Sequence, residues 1–335
     1  MSPRHTLLLA VSLLLTAHTL RAQESIAYTT IVKSGVFIVG SNNAPSGMYY
    51  QHPSDDTIWT HKGPRYTRGF SSWWPKPLHG DVQYVAGGNG LFKVEKDGSF
   101  RVTTDWRITE VLDVVAPASD PKTVYIATAY GVWRSNDGAE SWQDAAQATG
   151  KPGYTSKLII DHSNEQRLYS ASYEGAFVSD DGARTWKRME GLTMKGILVI
   201  RQHPKNPKIL IAGTEDNGLY LSTDAGTTWK KCEAGIDHST FYAIAFDPQQ
   251  PDVIYAGGYV TGVYRSTDGG ASWHRINEGL KDLNIHAIAV DPHNSRCVYA
   301  ATLGDGLYRT DDGGVQWRKA GLTGAQVWDV KFFDR

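Results

Sequence analysis

The sequence has few cysteines, no block of like charges, and no long apolar run beyond its N-terminus. Cys232 and Cys297 are the two cysteines among 335 residues, and a chain of this length can bury a large core without disulfide bonds. The formal net charge is −1 at pH 7. This balance disfavours nucleic acid and anionic membrane, two partners that bulk electrostatics would select.

The N-terminal segment carries the apolar run, LLLAVSLLLTA from Leu7 to Ala17, behind Arg4 and His5. This pattern predicts a cleavable signal peptide over residues 1–22, with cleavage near Ala22. The run is shorter than the roughly 20 residues that a membrane-spanning helix needs. We therefore expect a secreted or periplasmic protein with no membrane insertion after cleavage.

A box of eight residues recurs along the chain. The five copies are SNDGAESW, SDDGARTW, STDAGTTW, STDGGASW and TDDGGVQW, which end at Trp142, Trp186, Trp229, Trp273 and Trp317. The tryptophans are 44, 43, 44 and 44 residues apart. A spacing this constant indicates a repeat architecture.

A glycine and an aromatic residue precede each box and extend the repeat upstream. The marker occurs at Gly47, Gly90, Gly131, Gly175, Gly218, Gly262 and Gly306, which gives seven units. Each unit contains four short runs rich in β-branched and aromatic residues, separated by turn sequences. The sequence therefore predicts an all-β, seven-bladed propeller of four-stranded blades as a single domain over residues 23–335.

The last segment, Ala325 to Phe333, aligns with the first strand of a unit, but no further strands follow it. We expect this C-terminal strand to close the ring by joining the N-terminal blade, which removes the exposed sheet edges. Residues 25–32 could also pair there, and the sequence does not rank the two segments. Cys232 and Cys297 fall in the fifth and seventh units with an intact blade between them, so we expect no disulfide.

The boxes resemble the Asp-box, or bacterial neuraminidase repeat, Ser-x-Asp-x-Gly-x-Thr-Trp. The first two units depart from it, with HPSDDTIW ending at Trp59 and VEKDGSF ending at Phe100. The resemblance implies a β-propeller like those of sialidases, xyloglucan-cleaving enzymes, sortilin-type receptors and photosystem II assembly factors. The box aspartates recur in every intact copy, so we interpret them as turn residues, not as catalytic acids or calcium ligands.

Signatures of catalysis are weak. Arg134, Arg265 and Arg309 occupy the same repeat position, so they do not form the unrepeated arginine cluster of a sialidase. A xyloglucan-cleaving enzyme of this type faces one carboxylate from each of two propellers, and the sequence predicts one propeller. The histidines have no zinc-ligand spacing. We expect no catalytic residues, no metal and no cofactor.

The least repetitive residues gather where the predicted fold places the inter-blade connections and the turns between second and third strands. This predicts a ligand-binding face opposite the boxes, because loops that exceed a repeat template carry function. Aromatic and charged groups suit a glycan or a protein or peptide ligand. The candidates are Arg65, Arg68, Trp73, Trp74, Asp105, Trp106, Arg107, Tyr173, Glu174, Glu215, Asp216, Asp237, His238 and Asp305.

The preferred hypothesis is an exported, non-catalytic binding or assembly-scaffold propeller. The alternative is a carbohydrate-active enzyme, a glycoside hydrolase that would use carboxylates on the same face. The sequence leaves the ligand open, and it leaves the oligomeric state open with a monomer as a plausible state.

Overall fold

The computed structural model describes residues 25–33, 46–52, 55–65, 67–73, 82–145, 152–192 and 194–334. The predicted signal peptide lies outside these residues. Apart from a single 3-10 turn at Glu190–Leu192, the regular secondary structure of the described residues is all strand. It comprises 28 strands in seven four-stranded antiparallel sheets. The predicted seven-bladed propeller is confirmed.

Each blade runs from an innermost first strand to an outermost fourth strand. Blade 1 holds β28 (Gln326–Asp334), β1 (Ser25–Lys33), β2 (Gly47–His52) and β3 (Asp55–Lys62), and blade 2 holds β4 (Gly69–Trp73), β5 (Gln83–Gly87), β6 (Gly90–Val94) and β7 (Phe100–Val102). Blade 3 holds β8 (Val111–Val115), β9 (Val124–Thr128), β10 (Gly131–Ser135) and β11 (Gln143–Asp144). Blade 4 holds β12 (Thr155–Asp161), β13 (Asn164–Ser172), β14 (Gly175–Ser179) and β15 (Lys187–Arg188).

The remaining blades repeat this order. Blade 5 holds β16 (Ile197–Gln202), β17 (Leu210–Thr214), β18 (Leu219–Ser222) and β19 (Lys230–Cys232). Blade 6 holds β20 (Phe241–Phe246), β21 (Ile254–Gly258), β22 (Val263–Ser266) and β23 (His274–Arg275). Blade 7 holds β24 (Ile285–Asp291), β25 (Asn294–Thr302), β26 (Leu307–Thr310) and β27 (Arg318–Lys319).

The antiparallel order divides the loops between two faces. The box face carries the links from first to second strand and the box turns from third to fourth strand. The connection face carries the turns from second to third strand and the connections between blades. The innermost strands contact one another in sequence around the ring and surround a central channel.

The ring is closed by the C-terminal strand, as predicted. β28 is the innermost strand of blade 1 and pairs antiparallel with β1, with Phe333 opposite Ile26 and Val330 opposite Thr29. β28 also contacts β24 and β4 on its two sides. Both terminal segments therefore take part in closure, the C-terminal one inside and residues 25–33 next to it.

The box turns have the predicted structural role. In blade 3, the Asp137 carboxylate accepts hydrogen bonds from the backbone N–H groups of Glu140 and Ser141 at 3.0 and 2.9 Å and from the Ser135 hydroxyl at 2.7 Å. Such bonds stabilise the charged form of the acid. They lower the pKa of the equivalent Asp224 and Asp268 to about 2. These carboxylates are fixed, ionised parts of the turns.

Three of the five box tryptophans, Trp142, Trp186 and Trp317, join neighbouring blades through their indole N–H groups. The indole N–H of Trp142 donates to the Thr103 carbonyl of blade 2 at 2.9 Å, and that of Trp186 donates to the Ala145 carbonyl of blade 3 at 2.9 Å. Trp273 and Trp317 are almost fully buried. The indoles of Trp229 and Trp273 instead donate to carbonyls within their own boxes.

In blade 1, residues of the degraded box make contacts across the ring closure. The Trp59 indole donates to the Ala320 carbonyl of blade 7 at 2.6 Å. The Asp56 carboxylate pairs with Arg309 at 2.7 Å and with Arg318 at 2.5 Å. The departure from the box pattern thus supplies a clamp between the first and last blades.

We expect Asp56→Asn to lower the free energy of unfolding by about 1–2 kcal/mol, because Arg309 and Arg318 lose the carboxylate from blade 1 and keep only that of Asp311 in their own blade. Urea denaturation measures this change. Asp180→Asn is the control, since Asp180 forms an exposed ion pair with Arg167 inside blade 4. Equal losses of unfolding free energy in the two variants would contradict the clamp between the first and last blades.

The two cysteines are buried and unpaired, as predicted. Burial raises the pKa of Cys232 to about 11 and that of Cys297 to about 12. Because the thiolate is the reactive form, native protein should react slowly with a thiol reagent. Denatured, unreduced protein should release two equivalents of thiol, and finding none would contradict the placement of the two residues.

Candidate ligand-binding site

A β-bulge in every innermost strand shapes the connection-face end of the channel. One residue near the start of each strand is left out of the pairing with the second strand. Bulges bend a strand and redirect a side chain. The seven residues at this position are Phe70, Leu112, Ser156, Leu198, Tyr242, His286 and Trp328.

A cavity of about 220 Å³ lies at this end and is called the channel mouth. Its walls combine aliphatic side chains with aromatic residues and one cation. The lining residues are Leu112, Tyr154, Ser156, Lys157, Leu198, Tyr242, His286, Leu303 and Trp328. The opposite, box-face side of the channel is a larger cavity of about 420 Å³.

Three rings from consecutive blades stack along the wall of the mouth. His286 lies between Tyr242, with ring centroids 5.2 Å apart, and Trp328, with ring centroids 3.9 Å apart. His286 Nδ1 is 3.0 Å from the Trp328 carbonyl, which only accepts, so Nδ1 carries the proton. Burial lowers the pKa of His286 to about 4. The imidazole is therefore neutral at pH 7, with Nε2 as an acceptor.

A charged network crosses the channel where blades 1, 2 and 3 meet. The Ser71 hydroxyl lies 2.6 Å from Asp113 Oδ1 and 3.1 Å from Asp329 Oδ2. The Lys331 ammonium donates to the Ser71 oxygen at 2.7 Å and pairs with Asp329 at 3.1 Å. Lys331 and Lys157 keep the pKa of Asp329 low although the carboxyl is buried. Asp329 is therefore ionised at neutral pH.

The turns of blades 4 and 5 bring several predicted residues to the rim of the mouth. Tyr173 is 51 % exposed and its N–H donates to the carbonyl of the lining residue Tyr154 at 2.9 Å. Burial raises the pKa of Tyr242, with smaller contributions from the charges of Glu215 and Asp216. Glu174 follows Tyr173 in the turn of blade 4.

Other predicted residues lie on the connection face but in different surroundings. Arg68 precedes β4 and is exposed, with its carbonyl accepting from Gly88 N–H at 3.0 Å. Between blades 2 and 3, Arg107 pairs with Asp105 at 2.6 Å. Trp106 between them is 86 % exposed. Arg65 is also exposed, in the connection after β3.

Three predicted residues are engaged in contacts that support the blades. Asp237 bonds to Arg275 at 2.6 Å and to His238 at 3.0 Å, and it also contacts the Tyr264 hydroxyl. These bonds lower the pKa of Asp237. Asp305 contacts Lys319 and the Tyr308 hydroxyl. These carboxylates hold fourth strands in place.

The predicted position of Trp73 in an inter-blade connection is wrong. Trp73 is the last residue of the innermost strand β4, so it lies toward the box face. Its ring packs against the cores of blades 2 to 4 and lines the box-face cavity. The strand extends further than the repeat template indicates. Trp74 lies outside the described residues.

Sequence reasoning missed Tyr242, His286, Trp328 and Lys157. The first three occupy one column of the repeat, at 44-residue and 42-residue intervals. Aligning the first strands of all units would have shown that this column varies from serine to tryptophan. Variation at this one repeat position is the sequence pattern that could have indicated the site, because a site is built where repeats differ.

Within the part of the chain that the structure describes, no group of three or more His, Cys, Asp or Glu side chains is placed to hold a metal ion. The same residues contain no helix with the length and apolarity needed to cross a membrane.

Comparison with known proteins agrees with the expected resemblance. A family model described as "Sortilin, neurotensin receptor 3" matches residues 130–259 and 261–331. A GH74 enzyme from Niastella koreensis is similar in structure, with TM-score 0.62 and 15 % identity, over 90 % of this chain and 47 % of that chain. No curated protein sequence matches this chain.

Two further solved structures share the fold. YCF48 bound to D1 peptide has TM-score 0.60 and 15 % identity, over 85 % of this chain and 95 % of that chain. An ancestral GH74 enzyme has TM-score 0.58 and 23 % identity, over 65 % of this chain and 32 % of that chain. The chain therefore spans less than half the length of these GH74 enzymes.

The lowered pKa of His286 predicts a pH-dependent stability. The unfolded histidine titrates near 6.5 and the folded one near 4, so the unfolded chain binds more protons between these values. Stability contributed by neutral His286 is present above pH 6.5 and is lost as the pH falls toward 4, by up to about 3 kcal/mol. Urea denaturation at pH 7 and pH 4.5 should show a smaller loss for His286→Phe than for the wild type. Equal losses would contradict the assignment.

Proposed function

The chain belongs to the Sortilin-Vps10 family, and on that premise we propose that it is an exported, non-catalytic binding propeller. Its ligand, a glycan or a protein or peptide segment, lies over the channel mouth on the connection face. The N-terminal apolar segment supports export. The seven-bladed ring supplies a rigid frame on which unrepeated side chains converge.

The observation that carries this proposal is the aromatic character of the mouth and its rim. Tyr173 and Tyr259 are 51 % and 60 % exposed in the turns of blades 4 and 6. Inside the mouth, the hydroxyls of Tyr154 and Tyr242 have no hydrogen-bond partner among the described residues. Aromatic walls with a few unengaged polar groups are typical of ligand sites.

The state of the channel carboxylates supports binding over glycoside cleavage. Cleavage needs one carboxyl group that is protonated to act as the acid, and a second that is ionised. Asp329 is held ionised by Lys331 and Lys157. Asp113 is occupied by the Ser71 hydroxyl and by the Leu158 N–H at 3.1 Å. Both carboxylates are therefore engaged in the network that joins blades 1, 2 and 3.

The structural matches include a chain solved with a bound peptide as well as enzymes. The chain covers 95 % of the peptide-bound YCF48 chain and 47 % of the Niastella koreensis GH74 enzyme. The peptide bound to YCF48 supports a protein or peptide segment as one of the two proposed ligand classes. The glycoside hydrolase remains the second candidate, because the GH74 enzymes share the fold.

The test is binding of immobilised glycan and peptide panels to the mature protein, with reducing-sugar release measured in parallel. We expect binding without turnover, and at least tenfold weaker binding by the double variant Tyr173→Ala/Tyr259→Ala. Val315→Ala is the control, because Val315 is 72 % exposed in the box turn of blade 7. Turnover of a glycan would overturn the proposal, as would loss of binding in the Val315 variant alone.

A further inference from the structure

Lys157 is a buried cation at the narrow middle of the channel. It is 9 % exposed and lines both the channel mouth and the box-face cavity. Its ammonium has no hydrogen bond and no ion pair among the described residues. Although most of the side chain is buried, its Nζ atom is accessible to the solvent of the channel. The channel therefore holds a cation with its hydrogen-bonding capacity unused.

Lys157 and Lys331 both act electrostatically on the carboxylate of Asp329. The box-face cavity is lined by three cations, Lys157, Arg201 and Lys331, and by two carboxylates, Asp113 and Asp329. Lys331 lies 3.1 Å from Asp329 and 3.8 Å from Asp113. The lining of the box-face cavity therefore carries one net positive charge. Lys157 is also the one charged side chain among the lining residues of the mouth, where Glu215 and Asp216 act on Tyr242 from the rim.

The polar groups near Lys157 indicate which chemical groups the ligand has besides its anionic oxygen. His286 Nε2 is an acceptor, because Nδ1 donates its proton to the Trp328 carbonyl. The hydroxyls of Tyr154 and Tyr242 both donate and accept. Together with Lys157, these groups suit a ligand that combines one anionic oxygen with several hydroxyl groups.

The size and walls of the mouth limit the ligand further. Its volume of about 220 Å³ is below the roughly 300–1,000 Å³ of pockets that take drug-sized molecules. The aliphatic side chains of Leu112, Leu198 and Leu303 form the apolar part of the wall. The mouth therefore has room for one ring with an apolar surface and polar edges, not for an extended chain.

We propose that the channel mouth is a subsite for a carboxylated sugar ring, with the carboxylate on Lys157 and ring hydroxyls on Tyr154, Tyr242 and His286. The ligand class is a glycan that contains uronic acid residues. This inference rests on the proposed binding function, and it selects the acidic glycan from the ligands considered there.

Calorimetric titration with trigalacturonate and with its fully methyl-esterified form tests the proposal. The two probes differ in charge but keep the ring hydroxyls. We expect the wild type to bind the acid at least tenfold more tightly than the ester. Lys157→Met should bind both forms with the low affinity of the ester, whereas Lys157→Arg should retain a preference for the acid.

The controls separate charge from folding. Lys230→Met removes an exposed lysine from the outermost strand β19 and should leave the preference unchanged. Lys157→Met also removes a charge that favours ionised Asp329, so the circular dichroism spectrum of the variant should match that of the wild type before its binding is compared. A Lys157→Met protein that keeps the preference for the acid would overturn the proposal.

Other results of these binding experiments would also decide whether the sugar subsite exists. Equal binding of acid and ester by the wild type overturns the carboxylate subsite, as does no binding of either. Binding of a peptide with a free carboxyl terminus, abolished in Lys157→Met without any uronate binding, overturns the sugar assignment. If Tyr173→Ala/Tyr259→Ala loses binding to another ligand while Lys157→Met does not, the proposed function stands and this inference fails.

Discussion

Closure of the ring is the constraint on which the rest of this structure depends. Seven blades in an open arc would leave strand edges with unpaired backbone groups. β28 fills the last place by pairing with β1 and lying between β24 and β4. The charged network of Ser71, Asp113, Asp329 and Lys331 joins β28 to the innermost strands of blades 2 and 3 across this closure. The shape of the channel therefore depends on the pairing of β28 with β1.

Repetition separates supporting residues from recognition residues in this fold. The box aspartates have low pKa values, as active-site acids often do, but the cause is the same set of turn hydrogen bonds in each blade. Asp224 and Asp268 show nearly the same bonds to Ser222 and Ser266, both at 2.8 Å. At the bulge position the side chains are not repeated. Its backbone geometry is shared by all blades, while its side chains differ from Ser156 to Trp328.

The architecture could be predicted from the sequence because a period of 44 residues constrains every unit at once. Strand order, the turn position of the boxes and the separation of Cys232 from Cys297 all follow from that period. Trp73 was misplaced because the repeat template does not reveal that β4 continues to this residue. The degraded box of blade 1 gave no sign that Asp56 contacts blade 7, since that contact joins residues far apart in sequence.

The residues of the channel mouth could not be predicted either, because their positions also depend on contacts between residues far apart in sequence. His286 and Tyr242 lie in strands whose alternation resembles any half-buried β-strand, and the bulge that redirects them is a register shift between two strands. Lys157 is one place beyond the same bulge, and its sequence neighbourhood is ordinary. Its significance comes from charges on other blades. Lys331 lies within 3.1 Å of Asp329, so that carboxylate has its own ion-pair partner and Lys157 remains without one. A cation without a hydrogen-bond partner beside this network is a property of the assembled channel, and the proposed anion subsite depends on it.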